Sequence, residues 1–356
     1  MYHASDAQIR RTDNERKKKM KEKNYNLEMV RMVSFILVIV IHVTNYFCRA
    51  YGRIPQGEYV FSLILDTAAR LSVPCFFMIS GALLLGREEP LQKHAKRVLR
   101  FFIVLVVWST VYYFWNIFYM RTEYDLTHIL YEPTEAHLWY LYAMIPIYLV
   151  LPFFQVMVRG MSMKLEKAFL IVTTAAVVIY DLMWLAGQEP YYDLPLVGDR
   201  IYAYYLFLGY YLYKYRKHIR VSQGALTAIC VIGLAAAFGI TLGVTIMENN
   251  HYEGALTYAN PFVALAAAAF FLLMLRLGKG NIRLGKRGQK LIDLFCGCSF
   301  GIYLIHILFL DNYKKHMKAW DLSAWIAVPV LIVSIAAVSF MCVWLIRRFK
   351  MGRKIT

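Results

Sequence analysis

Apolar runs at 32–50, 98–119 and 324–346 each reach the ~20 residues that cross the hydrocarbon core of a bilayer. In lipid every backbone polar group must be satisfied within the chain, so only helices or a closed barrel can span. The ~10-residue alternating segments of a barrel are absent. A soluble domain is roughly 45–50% apolar. This chain is 59% apolar, 18% charged and has a mean hydropathy of +0.45. The expected fold is all-α: a polytopic membrane protein of about ten transmembrane helices. The spans are read near 31–50, 59–86, 97–119, 138–157, 167–187, 197–214, 223–247, 257–277, 291–310 and 322–346.

A net charge of +17 raises the question of nucleic acid, and the distribution of that charge answers it. With the N-terminus inside, inner segments hold 31 of the 40 Lys and Arg, and outer segments hold 7. This is the positive-inside pattern; it accounts for the charge with no nucleic-acid partner and places both ends in the cytoplasm. Residues 1–24 read as a basic, disordered tail able to touch anionic headgroups. Residues 25–348 read as one transmembrane domain, without the internal repeat common in secondary transporters. Residues 349–356 read as a basic C-terminal tail. No secretory signal precedes the first span, which is expected to stay as a signal-anchor. The six cysteines are expected to be buried, inert thiols. Cys296-Gly-Cys298 lacks the four ligands of a zinc site, so no metal is expected.

Ionisable groups inside spans are costly and mark functional candidates. Arg31 and His42 are eleven residues apart, about 1100° of helix rotation, so they share one face to within ~20°. Glu28 and Asn45 extend the stripe. His42 falls ~16 Å deeper than Arg31. There it is either an interhelical hydrogen-bonding group or a general base in a water-poor cavity. Asp66 and Arg70, at i,i+4, read as a structural pair. Pro74 is expected to kink the second span, with Ser80-Gly81 near its inner end. The run Lys93–Arg100 is either positive-inside anchoring or a phosphate cradle. The outer segment 120–137, with Glu123, Asp125, Glu132, Glu135 and His137, joins Glu189, Asp193 and Asp199 in an acidic outer face. His137-Leu-Trp139-Tyr-Leu opens the fourth span, and Gly301-Ile-Tyr-Leu-Ile-His306 lies in the ninth. Trp139 and the run Tyr202, Tyr204, Tyr205, Tyr210, Tyr211 are interface-belt or packing residues, or else stack on sugar rings.

Taken in order, these segments resemble the membrane acyltransferase-3 family, bacterial integral-membrane O-acyltransferases that modify cell-surface glycans. Asn26-Leu-Glu-Met-Val-Arg31 followed by Val-Ile-His42 is similar to the family's Arg and His in helix one. Arg70-Leu-Ser-Val-Pro-Cys-Phe-Phe-Met-Ile-Ser-Gly81 is close to its Val-Pro-x-Phe-Phe-x-Ile-Ser-Gly stretch. Arg97-x-x-Arg100 resembles its cytoplasmic Arg-x-x-Arg, and the His137 and His306 segments match two later signatures. The resemblance implies a bacterial plasma-membrane enzyme. It would take acyl-CoA, acetyl-CoA in the first instance, as donor co-substrate, and pass the acyl group to a hydroxyl of an extracytoplasmic glycan.

On that reading His42, as general base or as transient carrier of the acyl group, Arg31 and His306 are the catalytic candidates. Arg97, Arg100, Lys96 and Ser80 would hold the donor, and His137, Trp139, Glu135, Asn45 and Tyr205 the acceptor. The expected partners are membrane lipids, acyl-CoA and the glycan; homo-oligomerisation is left open. The rival reading is a transporter or flippase for a glycan, lipid-linked intermediate or small molecule, using the same polar stripe.

Overall fold

The computed structural model describes residues 23–188, 201–280, 282 and 284–356. The tail up to residue 22, and Glu189, Asp193 and Asp199 of the outer acidic face, lie outside the described residues. No strand occurs among those described. The helices are α1 Tyr25–Cys48, α2 Gln56–Ala69, α3 Ser72–Leu84, α4 Leu91–Phe114, α5 Trp139–Gly160, α6 Met163–Leu185, α7 Tyr202–Tyr215, α8 Gln223–Glu248, α9 Pro261–Arg276, α10 Lys286–His316, α11 Ala324–Ile346 and the single turn α12 Gly352–Ile355. A π-helical stretch, Trp115–Met120, prolongs α4.

Against the ten spans expected, eight stretches of the described residues are long and apolar enough to cross a membrane. The other two expected spans correspond to α6 and α7, which flank the residues outside the description. At 14 residues, α7 is shorter than the ~20 a full crossing takes. Large apolar side chains such as Phe153, Ile232 and Val333 point outward, as lipid-facing groups do in a membrane bundle.

Helix α1 is central, packing on α2, α3, α9, α10 and α11. Asn24 caps its N-terminus by accepting the Asn26 N–H. The fully buried Asn26 amide donates to the carbonyls of Met274 and Leu277 at 2.9 and 2.8 Å, and its oxygen accepts the Ile282 N–H. One side chain thus ties the last turn of α9 to the start of α1, adding a donor to carbonyls at a helix end. The second span is broken between Ala69 and Ser72. The break falls ahead of Pro74, which sits in the first turn of α3 and so removes no intrahelical hydrogen bond. Irregular backbone at membrane depth is tolerated where it lines a cavity, and Arg70 at this break lines one.

The closest helix crossing is between α3 and α7. A Cβ on Gly81 would collide with the carbonyl of Leu206, and a Cβ on Gly209 with the backbone of Met78. Glycine at both positions lets the two backbones touch, as small residues do where helices associate in lipid.

Residues 349–356, expected as a tail, contribute α12, which folds back on α4. Trp108 donates to the Ile355 carbonyl at 2.9 Å, Arg347 donates to the Thr356 carbonyl at 2.7 Å, and Thr356 is buried beside Gly301.

Candidate active site

A cavity of about 770 Å3 runs beside α1. Its size is in the upper part of the range typical of small-molecule sites. Arg31, His42 and Asn45 of the α1 stripe, and Arg49 just past the end of α1, all face it. The end nearer the start of α1 is basic. Arg31 donates to Glu28 at 2.9 Å. Arg97 lies with its guanidinium 5.6 Å from the Tyr148 ring centre, donates to Glu89 at 2.8 Å and approaches His94 Nδ1 at 3.4 Å. Arg100 lines the same end and forms no ion pair among the described residues. Burial alone would raise the Glu89 carboxyl, but hydrogen bonds and charge from Lys93 and Arg97 hold it at about 2.

The far end mixes charges with aromatics. Glu253, from the loop before α9, accepts from Asn45 at 2.8 Å and from Arg49 at 3.0 Å. Those bonds and the Arg49 charge outweigh burial and keep its carboxyl below the ordinary value. Arg70 donates twice to Asp66, at 2.6 and 3.0 Å, and Thr44 donates to the other carboxylate oxygen at 3.0 Å. Glu135 and Lys314 also face the cavity. Burial first, and Asp311 second, push the Glu135 carboxyl up. Trp139 stacks on Tyr202, which stacks in turn on Phe77, with ring centres 5.0 and 4.8 Å apart.

Between the two ends three imidazoles meet. The ring of His42 lies 5.1 Å from that of His306 and 6.3 Å from that of His137, which are 5.4 Å from each other. His42 is half-buried, opens to the cavity, and makes no hydrogen bond to protein among the described residues. His306 and His137 are fully buried behind it. His306 Nδ1 lies 2.7 Å from the Tyr303 carbonyl and His137 Nε2 lies 3.4 Å from the Leu304 carbonyl. Tyr303 closes the brace by donating from its hydroxyl to the His137 carbonyl. Among the described residues, no group of three or more His, Cys, Asp or Glu is arranged to hold a metal ion.

The structure therefore gathers Arg31, His42, Asn45, Ser80, Arg97, Arg100, Glu135, His137 and Trp139 around one cavity, with His306 in its wall behind His42. Two expected site residues lie elsewhere. Lys96 is exposed, because one residue from Arg97 is a 100° turn of α4. Tyr205 is fully buried in the α3–α7 packing and donates to the Tyr258 carbonyl at 2.6 Å. Glu89, Glu253, Tyr258, Tyr303 and Lys314 were not singled out by sequence reasoning. The i,i+4 and i,i+8 placement of Glu89 before Lys93 and Arg97 could have found the first; Glu253, a lone loop carboxylate, carries no local signal.

Compared with known protein families, the chain matches the acyltransferase domain family model over residues 24–347. No curated protein and no solved structure matches the chain.

Proposed function

The chain belongs to the acyltransferase domain family, and from that membership we propose that it carries an acyl group, acetyl in the simplest case, from cytoplasmic acyl-CoA to a hydroxyl of an extracytoplasmic cell-surface glycan. The observation that carries this reading is the order of groups along the cavity. Arginines stand at one end, stacked aromatics and paired charges at the other, and an unpartnered imidazole between them.

The anionic donor would enter at the basic end, which in this reading faces the cytoplasm. Arg97 and Arg100 meet its phosphates, because a guanidinium offers a planar pair of donors to phosphate oxygens. Ser80 adds a hydroxyl on the same wall, and Arg31 stands between the mouth and His42. The acceptor enters from the far end, where Trp139 presents a flat face and Asn45, Glu135 and Glu253 offer polar contacts. His42 takes the proton of the acceptor hydroxyl as its oxygen attacks the thioester carbon. A carbon–oxygen bond forms, the carbon–sulfur bond breaks, and the proton ends on the departing thiolate. Lys96 and Tyr205 have no part in this scheme.

Calorimetry of acetyl-CoA against the purified protein tests the donor side, with an Arg97→Ala/Arg100→Ala variant as control. Micromolar binding that weakens at least tenfold in the variant supports the reading. A folded protein with no affinity for acetyl-CoA would overturn it and favour the transporter.

A further inference from the structure

His306 and His137 each keep one ring nitrogen buried with no hydrogen-bond partner: Nε2 of His306 and Nδ1 of His137. Leaving a buried polar atom unsatisfied costs about 1–3 kcal/mol, so two such atoms side by side call for a reason. The other nitrogen of each ring supplies the start of one. A carbonyl oxygen only accepts, so the nitrogen facing it must carry the hydrogen. His306 is thereby fixed as the Nδ1–H tautomer by Tyr303, and its Nε2 is a bare lone pair. His137 is fixed as the Nε2–H tautomer by Leu304, and its Nδ1 is bare. The carbonyls involved belong to consecutive residues of α10, and the Tyr112 hydroxyl also donates to that of Leu304 at 2.9 Å. Neither ring can turn over without breaking this brace. Both rest against His42, the half-buried member of the trio that opens to the cavity, whose wall His137 also lines.

We propose that His306 is a proton-holding partner of His42: a turn of the His42 ring brings it within hydrogen-bond reach of His306 Nε2, which accepts the proton that His42 removes from the acceptor hydroxyl and returns it through His42 to the thiolate. The inference rests on the acyl-transfer reading above and assigns the proton a resting place within it. His42 loses the proton to His306 while the tetrahedral intermediate stands, and regains it as the carbon–sulfur bond breaks; no net proton enters or leaves. His306 acts through His42 and touches no substrate. The imidazolium formed on it keeps its Nδ1–H bond to Tyr303, now charge-assisted and correspondingly stronger. His137, with its ring centre 5.4 Å from that of His306 and 6.3 Å from that of His42, braces the pair and offers a second bare nitrogen. Other titratable groups around the trio are the Tyr303 and Tyr112 hydroxyls, and the charges of Lys314 and Arg70 also reach it.

The test uses the full-length protein in lipid nanodiscs, with acetyl-CoA as donor and water standing in for the acceptor hydroxyl, and free thiol as readout. Asparagine at position 306 can still donate to the Tyr303 carbonyl but lacks the far nitrogen. The His306→Asn variant is expected to bind acetyl-CoA with wild-type affinity and to release thiol about 100-fold more slowly, the lower end of what proton transfer by a positioned group contributes. In mixtures of light and heavy water the wild-type rate is expected to fall along a curve, marking two protons in motion, and the variant rate along a straight line. Wild-type turnover in the variant, or a straight line for both, overturns the proposal. Nitrogen NMR of 15N-histidine-labelled protein decides independently of turnover: a His306 signal with the hydrogen on Nε2 also overturns it. Absence of acetyl-CoA binding to the wild type would instead sink the acyl-transfer reading itself.

Discussion

Arg97 donates to the carboxylate of Glu89 at 2.8 Å, across the junction where the basic loop becomes α4. The pair holds the guanidinium over the Tyr148 ring and at the wall of the cavity, aligned before any ligand arrives. Pre-alignment of this kind lowers the ordering cost of binding. Glu89→Gln is therefore expected to weaken acetyl-CoA binding about fivefold while leaving the fold intact, as calorimetry on the detergent-solubilised variant would show. Equal affinity would mean that Arg97 is held by Tyr148 and His94 alone.

The same carboxylate sets a pH dependence. Its value in the folded protein is about 2, below the ordinary 4.5. A depressed carboxylate contributes stability above its unfolded value and loses it as pH falls through the folded one. Thermal unfolding should show no pH dependence from this group between pH 7 and 5, where its contribution is fully present. The contribution should fade between about 4.5 and 2, and Glu89→Gln should lack that loss. A Glu89-dependent transition near neutral pH would contradict the assignment.

His42 faces the cavity without a protein partner, so its removal should cost chemistry and spare structure. His42→Ala is expected to keep its melting temperature and its affinity for acetyl-CoA while transfer falls about 10²–10⁴-fold. A variant that keeps full transfer would end the role given to this imidazole.

Asn26 shows how a residue inside a functional-looking motif can be structural. Asn26→Ala leaves the Leu277 carbonyl and the Ile282 N–H without this partner, and should cost about 1–3 kcal/mol. Asn26→Asp should be worse, since it sets a carboxylate against the carbonyls of Met274 and Leu277. Melting temperatures of the two variants order the effects; the reverse order would show that these carbonyls find other donors.

Gly81 and Gly301 should respond differently to alanine. At Gly301 the obstacles are the side chains of Val343 and Thr356, so Val343→Ala in the same chain should recover part of the loss. At Gly81 the obstacle is the Leu206 backbone, which cannot be trimmed. Gly81→Ala should cost more than the roughly 1–3 kcal/mol of ordinary overpacking. Recovery of Gly81→Ala by trimming a neighbouring side chain would refute the backbone contact.

The α1 stripe was legible because helical periodicity is a local rule: the spacing of Arg31, His42 and Asn45 alone put them on one face, and all three meet the cavity. The Asp66–Arg70 pair followed from the same rule. What periodicity does not supply is the rotation of one helix against its neighbours. Tyr205 therefore read as a wall residue, although α7 turns it into the α3 contact, and Lys96 was grouped with arginines from which its helix turns it away. Partners drawn from distant segments, such as Glu253 with Asn45 or Asn26 with the end of α9, exist only once the chain has folded. The convergence of three histidines from α1, the turn just ahead of α5 and α10 is of that kind too, and each motif showed only its own member.

The Gly81–Gly209 crossing bears on how the bundle can move. Two helices whose main chains touch have no side-chain cushion to slide on, so α3 and α7 travel as a single beam or not at all. The beam carries Ser80 and Phe76 along one bank of the cavity. Changes in the width of the passage must then come from the beam moving as one or from the loops and helices opposite, not from α3 sliding on α7.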